Sequence, residues 1–305
     1  MRSRLQVLHC KLNIDVLEFE LRNHPDRTYV NSLIDGLRFG FHTGIDPIPQ
    51  ISAEFANLAS ATRNPDFVAS QIQQELKKGY LIGPFVSPPF PVYRINPIGV
   101  ATRKFSGKQR MTVDCSWPHQ DPKTQDSHNS TSNIQIQSIN DLISKEEFSL
   151  KYVKFDDALD ILSSLGPGSK LCKTDIVEAF KIIPIKQSLV PFYGIKFDSK
   201  YYFYRRLCFG CRSSPKIFNM LSEAINYIST MNYGISVMLH ILDDFLTIDA
   251  PDYDAERTMA LLTLIFNKLH IPYHPDKTMG PLTTLVWLGL ELDTIRMEVR
   301  VDSDK

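Results

Sequence analysis

The sequence predicts an α+β protein in which antiparallel strand pairs are covered by helices. Two observations lead there. Short runs rich in Ile, Val, Leu and Phe recur in pairs about turn residues, which is the pattern of β-hairpins. Other segments carry helical periodicity, such as Val30, Leu33, Ile34 and Leu37, or Met259, Leu262, Ile265, Phe266 and Leu269. With 305 residues, 43% hydrophobic and 22% charged, the chain has a globular composition and the length of one large or two ordinary domains.

In chain order, residues 12–40 read as helical with a break at Pro25, and 47–60 as a looser connection. Asn64-Pro65-Asp66 opens a helix through Lys78 that Gly79 closes. Five prolines between 84 and 97 hold an extended segment. Strands over 98–105 and 109–115 follow, with Ser106-Gly107-Lys108 as their basic turn. Residues 118–134 are polar and read as a surface loop. Asp156 is placed to cap a helix through Leu165, which Gly166-Pro167-Gly168 ends. A strand over 171–175 precedes a hairpin of 192–197 and 201–206 about Asp198-Ser199. Ser213-Ser214-Pro215 starts a helix to about 231, and a second runs over 252–270. Strands over 285–292 and 297–301 close the chain.

Thirty-four basic and thirty-four acidic residues cancel, so net charge does not announce a nucleic-acid binder. The distribution says more. Arg94, Arg103, Lys104, Lys108 and Arg110 cluster in one stretch, and Lys196, Lys200, Arg205, Arg206, Arg212 and Lys216 in another. Two such patches suit phosphate binding, and equally suit two solvated hairpins. No apolar run reaches the ~20 residues of a membrane span, which predicts no membrane partner. The N-terminal apolar stretch is too broken for a secretory signal, and five scattered cysteines suit reduced thiols. An intracellular location, cytoplasmic or nuclear, is expected.

Asp243 and Asp244 lie between the apolar runs 235–242 and 245–248, a strand–turn–strand pattern with the acids at the bend. Adjacent carboxylates repel, and a divalent cation would neutralise them; a solvated acidic turn is the alternative. Asp175, at the end of a predicted strand, adds a third carboxylate, and Ile176 a backbone carbonyl. Together they supply the oxygen donors that two Mg²⁺ ions require.

Lys173-Thr-Asp-Ile-Val-Glu-Ala-Phe180, Leu207-Cys-Phe-Gly-Cys-Arg-Ser-Ser-Pro-Lys-Ile-Phe218 and Ile241-Leu-Asp-Asp244 resemble, in order, the three core motifs of reverse transcriptases. His274-Pro-Asp-Lys-Thr278 and Val286-Trp-Leu-Gly-Leu-Glu-Leu292 resemble the family's palm lysine segment and primer-grip hairpin. Ser87-Pro-Pro-Phe-Pro91, Leu165-Gly-Pro-Gly-Ser169 and Leu288-Gly-Leu-Glu-Leu-Asp293 are most similar to tyrosine-recombinase (DIRS-like) retrotransposons.

The resemblance implies a polymerase palm and fingers in the right-hand architecture, with the thumb largely missing after Lys305. Fingers are expected over about 80–165, the palm over about 166–305, and a helical extension over 1–79. It implies Asp175, Asp243 and Asp244 as ligands of two Mg²⁺ ions, with Mn²⁺ as a substitute. Phe180 would lie under the sugar and select deoxynucleotides. Lys104 and Arg110 would hold the triphosphate, with Ile176, Phe209 and Gly210 shaping the nucleotide pocket. Lys277 would protonate the leaving pyrophosphate. Trp287, Leu288 and Gly289 would grip the primer. Cys208 stands where the family usually has Pro, and Ile241 where it often has Tyr.

The implied partners are an RNA template, a DNA primer and deoxynucleoside triphosphates, with a partner chain or a C-terminal thumb and RNase H region completing the enzyme. The implied function is template-directed DNA synthesis from RNA or DNA by a retrotransposon-derived enzyme. The rival is an inactive fragment, host-adopted or truncated, that only binds nucleic acid or protein. An RNA-synthesising polymerase is a second rival, which Phe180 opposes. Cys208-Phe-Gly-Cys211 has redox or zinc spacing but no second Cys or His pair beside it, and His240 reads as strand filler.

Overall fold

The computed structural model describes residues 11–102, 107–119 and 136–301. From residue 10 onward the polypeptide crosses four times between two compact units. One contains Phe39–Ser149 and Phe180–Ile217, the other Cys10–Arg38, Leu150–Ala179 and Phe218–Lys305. These units divide the chain at other places than the boundaries expected at 79 and 165: 11–38 fall in one unit and 39–79 in the other.

In the second unit a four-stranded antiparallel sheet has the order Met279–Leu282, Lys170–Asp175, Asp244–Asp249, Met238–Ile241. Its two central strands end in the predicted carboxylates. Leu171, Leu246 and Ile248 on one face pack with Ala158 and Leu162 of the helix Phe155–Leu165 and with Leu285, Trp287 and Leu292. Phe245 meets Phe266 of the helix Ala255–Lys268 edge-on at 5.7 Å. The helical segment expected over 12–40 with a break at Pro25 forms two helices, Ile14–Glu20 and Arg27–Phe39. Buried Glu20 ties the first of them in, accepting from Lys268 Nζ at 2.6 Å and Asn232 Nδ2 at 2.7 Å.

Two local expectations need correction. Asp157, not Asp156, caps the helix Phe155–Leu165, accepting from the Lys154 N–H at 2.7 Å. The strand expected over 285–292 is a hairpin, Thr284–Trp287 with Leu290–Asp293, joined by Leu288 and Gly289 at φ 51° and 84°. Two positive φ values make the turn whose twist matches paired strands. Glu298–Val301 adds a third strand.

The first unit holds a five-stranded sheet ordered Ala53–Glu54, Arg94–Ile95, Gly194–Phe197, Lys200–Tyr204, Leu81–Phe85. Its first two pairings are parallel and the rest antiparallel, so this sheet is mixed. Asp198 and Ser199 turn its hairpin at φ 48° and 54°, as their position in the sequence suggested. The basic hairpin forms from Ile98–Thr102 and Gln109–Val113, pairing Ala101 with Arg110. Lys104 and the loop core at 120–135 lie outside the described residues. Among the described residues no helix is long and apolar enough to cross a membrane.

Candidate active site

The turn of the aspartate hairpin lies one residue earlier than the sequence pattern suggested. Asp244 pairs directly with Ile241, so Leu242 and Asp243 alone make the turn. Asp243 occupies the bend, whereas Asp244 is the first residue of the returning strand. Leu242 adopts φ 54°, a conformation that a branched side chain occupies only under constraint. The constraint is visible: Ser222 Oγ of the helix Ser214–Tyr227 donates to the Leu242 carbonyl at 2.8 Å.

Across the sheet, Asp244 lies directly opposite Asp175. Directly opposed residues send side chains to the same face, so two carboxylates share one edge of the palm sheet. The Ile176 N–H donates to the Asp243 carbonyl at 2.9 Å, which ties the strand end to the turn. Lys277, on the short turn Pro275–Lys277, places Nζ 2.6 Å from Asp175 Oδ2. Its side chain is half exposed, while that of Asp175 is 22% exposed.

Burial pushes the Asp244 carboxyl up to about 6 from 3.8, and the charges of Asp175 and Asp243 add to the shift. Lys173 and Lys277 oppose it. Lys173 is a residue the sequence reading missed. Its Nζ donates to the Val286 carbonyl at 2.6 Å, linking the acidic edge to the Thr284–Trp287 strand. His240 is buried with its pKa lowered by burial, stacked 5.6 Å from Phe245, and so packs within the strand pair.

The donor chemistry suits a hard divalent cation, since all three acids offer only carboxylate oxygens and carry a surplus of negative charge. Among the described residues, no three His, Cys, Asp or Glu side chains converge closely enough to enclose an ion. The acids line an open edge rather than a closed cage, and Lys277 neutralises one of them.

In the other unit, Phe180 is 8% exposed and its ring lies 4.9 Å from Phe209. Arg110 on the basic hairpin sets its guanidinium 5.9 Å over the same Phe209 ring. Phe180, Phe209 and Arg110 thus form one cluster, a partly exposed aromatic plate with a cation above it. Gly210 follows at φ 102°, and a Cβ there would collide with the Val113 carbonyl. Asn140, which no motif marked, secures this turn. Its Nδ2 donates to the Gly210 carbonyl at 2.8 Å, and its Oδ1 accepts from the Arg212 N–H at 2.8 Å. Cys208 Sγ lies 4.0 Å from Cys115 Sγ, whereas Cys211 faces Tyr193 and Ser213. The Cys-x-x-Cys thiols therefore turn to different neighbours.

Of the expected primer-grip residues, Trp287 points into the core, 1% exposed and stacked on Phe155 at 6.0 Å. Leu288 and Gly289 form the turn, with Leu288 40% exposed.

No protein-family profile matches this sequence, and no curated protein is similar to it. Solved structures are. A foamy viral protease-reverse transcriptase in complex with double-stranded DNA aligns at TM-score 0.59 and 16% identity, covering 96% of this chain and 48% of that one. A second such complex with double-stranded DNA aligns at 0.55 and 17%, covering 97% and 58%. The same enzyme in complex with an RNA/DNA hybrid aligns at 0.56 and 14%, covering 96% and 37%. The fold is reverse-transcriptase-like, with the α+β palm and fingers of these structures, and the chain spans about half the length of the first of them.

Proposed function

We propose that this chain performs template-directed DNA synthesis from RNA or DNA, as the reverse transcriptase of a tyrosine-recombinase (DIRS-like) retrotransposon. The observation that carries the reading is the opposition of Asp175 and Asp244 on adjacent strands, with Asp243 in the turn beside them. Asp175 and Asp243 would hold two Mg²⁺ ions, or Mn²⁺, with Asp244 accessory. When bound, the metal supplies Lewis-acid activation of a hydroxyl and charge neutralisation on phosphate.

The chain's own residues then do the following. Arg110 and Lys104 bind the triphosphate of a deoxynucleotide through charge-assisted hydrogen bonds. Phe180, supported by Phe209, excludes a 2′-hydroxyl; Ile176 and Gly210 are the further nucleotide-binding residues of this reading. The primer 3′-hydroxyl, held by the Leu288-Gly289 turn that Trp287 anchors from within, attacks the α-phosphate. Pyrophosphate leaves, and Lys277 Nζ donates a proton to it. Template RNA and primer DNA are held through phosphates, so binding weakens steeply with salt.

The ion pair of Lys277 with Asp175 favours a second reading, in which the carboxylates are neutralised by protein and the chain binds nucleic acid without polymerising. Primer extension on poly(rA)/oligo(dT) with Mg²⁺ or Mn²⁺ separates the two. Deoxythymidine incorporation that vanishes in Asp243→Asn supports the polymerase. No incorporation, with salt-sensitive RNA binding retained, refutes it in favour of the binder. Phe180→Ala is expected to admit ribonucleotides; unchanged selectivity would remove the sugar-gate role.

A further inference from the structure

Two buried thiols have no role in the polymerase reading. Cys115 follows the strand Gln109–Val113, and Cys208 immediately precedes the turn at Phe209 and Gly210. They stand 93 positions apart in sequence, yet their Sγ atoms lie 4.0 Å apart, in reach of an S–H···S hydrogen bond. Both are free thiols, 0% and 1% exposed. Their main chains are held side by side. The Val113 N–H donates to the Phe209 carbonyl at 3.3 Å, and a Cβ on Gly210 would lie 3.8 Å from the Cys115 nitrogen. The Cys115 carbonyl accepts from the Asn140 N–H at 2.9 Å, and the Cys208 carbonyl from Ser214 Oγ at 3.0 Å. A disulfide, with sulfurs about 2 Å apart, therefore needs a turn of the two side chains and no rearrangement of the fold.

The other described cysteines are placed differently. Cys211 Sγ faces Tyr193 Oη at 3.4 Å and Ser213 Oγ at 3.3 Å, and Cys172 Sγ faces the Ala255 carbonyl at 4.0 Å. Within the pair the two thiols are not equivalent. The hydrogen bond from Cys115 pulls the Cys208 thiol below its ordinary value; burial opposes it, and the Lys181 charge assists. Donating that same bond, together with burial, pushes Cys115 up. Cys208 is thus the thiol that ionises and attacks, which separates it from an inert structural cysteine, and Cys115 is the one that resolves. Burial selects the oxidant by size. Hydrogen peroxide, little larger than water, reaches such a site through local opening, whereas glutathione does not fit it.

We propose that Cys115 and Cys208 are an oxidation site for peroxide, whose disulfide clamps the basic hairpin to the Phe209-Gly210 turn. The Cys208 thiolate attacks one oxygen of hydrogen peroxide; the O–O bond breaks, and hydroxide leaves and takes up a proton as water. Cys208 is then a sulfenic acid, oxidised by two electrons. The Cys115 sulfur, giving up its proton, attacks the Cys208 sulfur; the S–O bond breaks, the S–S bond forms, and a second water leaves. Two thiols and one peroxide give one disulfide and two waters. The strand that carries Arg110 is then tied covalently to the turn that carries Phe209, whose ring lies under the Arg110 guanidinium.

The pair's chemistry is independent of polymerase activity, and so is its test. The full chain is treated with hydrogen peroxide, alkylated and digested without reduction, and its peptides are mapped by mass spectrometry. A Cys115–Cys208 disulfide, reversed by dithiothreitol, is expected before Met231, 68% exposed, becomes a sulfoxide. At that dose the melting midpoint should rise by about 3 °C or more, since the bond closes a long loop of the unfolded chain. In Cys115→Ala, Cys208 should stop at the sulfenic acid and take up dimedone; in Cys208→Ala, Cys115 should stay a thiol. Cys211→Ala should leave the disulfide unchanged. A pair still reduced once Met231 is oxidised, or Cys208 linked to Cys211 instead, would overturn the proposal on the unaltered protein, whether or not the variants fold. A mapped disulfide that leaves the melting midpoint where it was would overturn the clamp.

Discussion

Asp244→Asn should make the protein more stable at neutral pH. In the folded chain the Asp244 carboxyl is raised from 3.8 to about 6, first by burial and then by the neighbouring acids. A raised folded-state pKa means that the folded chain holds the proton more tightly than the unfolded one. The associated stability is present below pH 3.8, declines as pH rises towards 6, and is lost above that. At about 1.4 kcal/mol per pH unit, the shift corresponds to about 3 kcal/mol, or about 2 kcal/mol after solvent screening of a partly exposed group. Asparagine is nearly isosteric and cannot ionise, so it removes that penalty. The measurement is urea denaturation of both proteins in EDTA across pH 4 to 8, with m-values compared to confirm the same transition. The variant should gain about 2 kcal/mol at pH 7.5 and close to nothing at pH 4. Equal or lower stability of Asp244→Asn at pH 7.5 would refute the electrostatic account of this edge.

Trp287→Ala should lose about 3–5 kcal/mol, since it empties a fully buried site stacked on Phe155. Leu288→Ala, at the exposed turn, should stay within about 0.5 kcal/mol in the same denaturation assay. Gly210→Ala should lose about 2 kcal/mol or more, because its Cβ meets the Val113 carbonyl at a φ of 102°; thermal melting would read this, and an unchanged midpoint would show that the turn relaxes freely.

The aspartate hairpin was legible because its determinants are local. Alternating Ile, Val, Leu and Phe on either side of two acids specify strand, turn and strand within sixteen residues, 234–249. The opposition of Asp175 and Asp244 is a matter of register between strands some seventy positions apart, which local pattern does not encode; its strand-end position offered Asp175 as a third acid, and the family resemblance tied it to the other two. Asn140 and Lys173 stayed invisible for the same reason. Asn140 reaches Gly210 and Arg212 across 70 and 72 positions, and Lys173 reaches Val286 across 113. Trp287 entered through the resemblance to the primer-grip hairpin; alternation along a hairpin sends neighbours to opposite faces, and Trp287 takes the inner one. Arg94 was counted in a basic patch, which treats every cation as solvated; its burial follows from a two-residue strand lodged between Ala53–Glu54 and Gly194–Phe197.

The places where the chain breaks local rules are not scattered. Within the second unit, a leucine held at φ 54°, a carboxyl raised to about 6, and two acids opposed across a ladder occur within one turn and the strand beside it. Each is unfavourable alone: left-handed backbone for Leu costs of order 1–3 kcal/mol, and like charges directly opposite destabilise a sheet. None is needed to close a hairpin, since an Asn-Gly turn would do so without strain. The surroundings nonetheless enforce the arrangement, through Ser222 on the Leu242 carbonyl and the Ile176 N–H on the Asp243 carbonyl. A core optimised for stability alone would discard all three features. Their coincidence at one edge of this sheet is more than folding alone requires, and the proposed metal-binding role of Asp175, Asp243 and Asp244 would account for it.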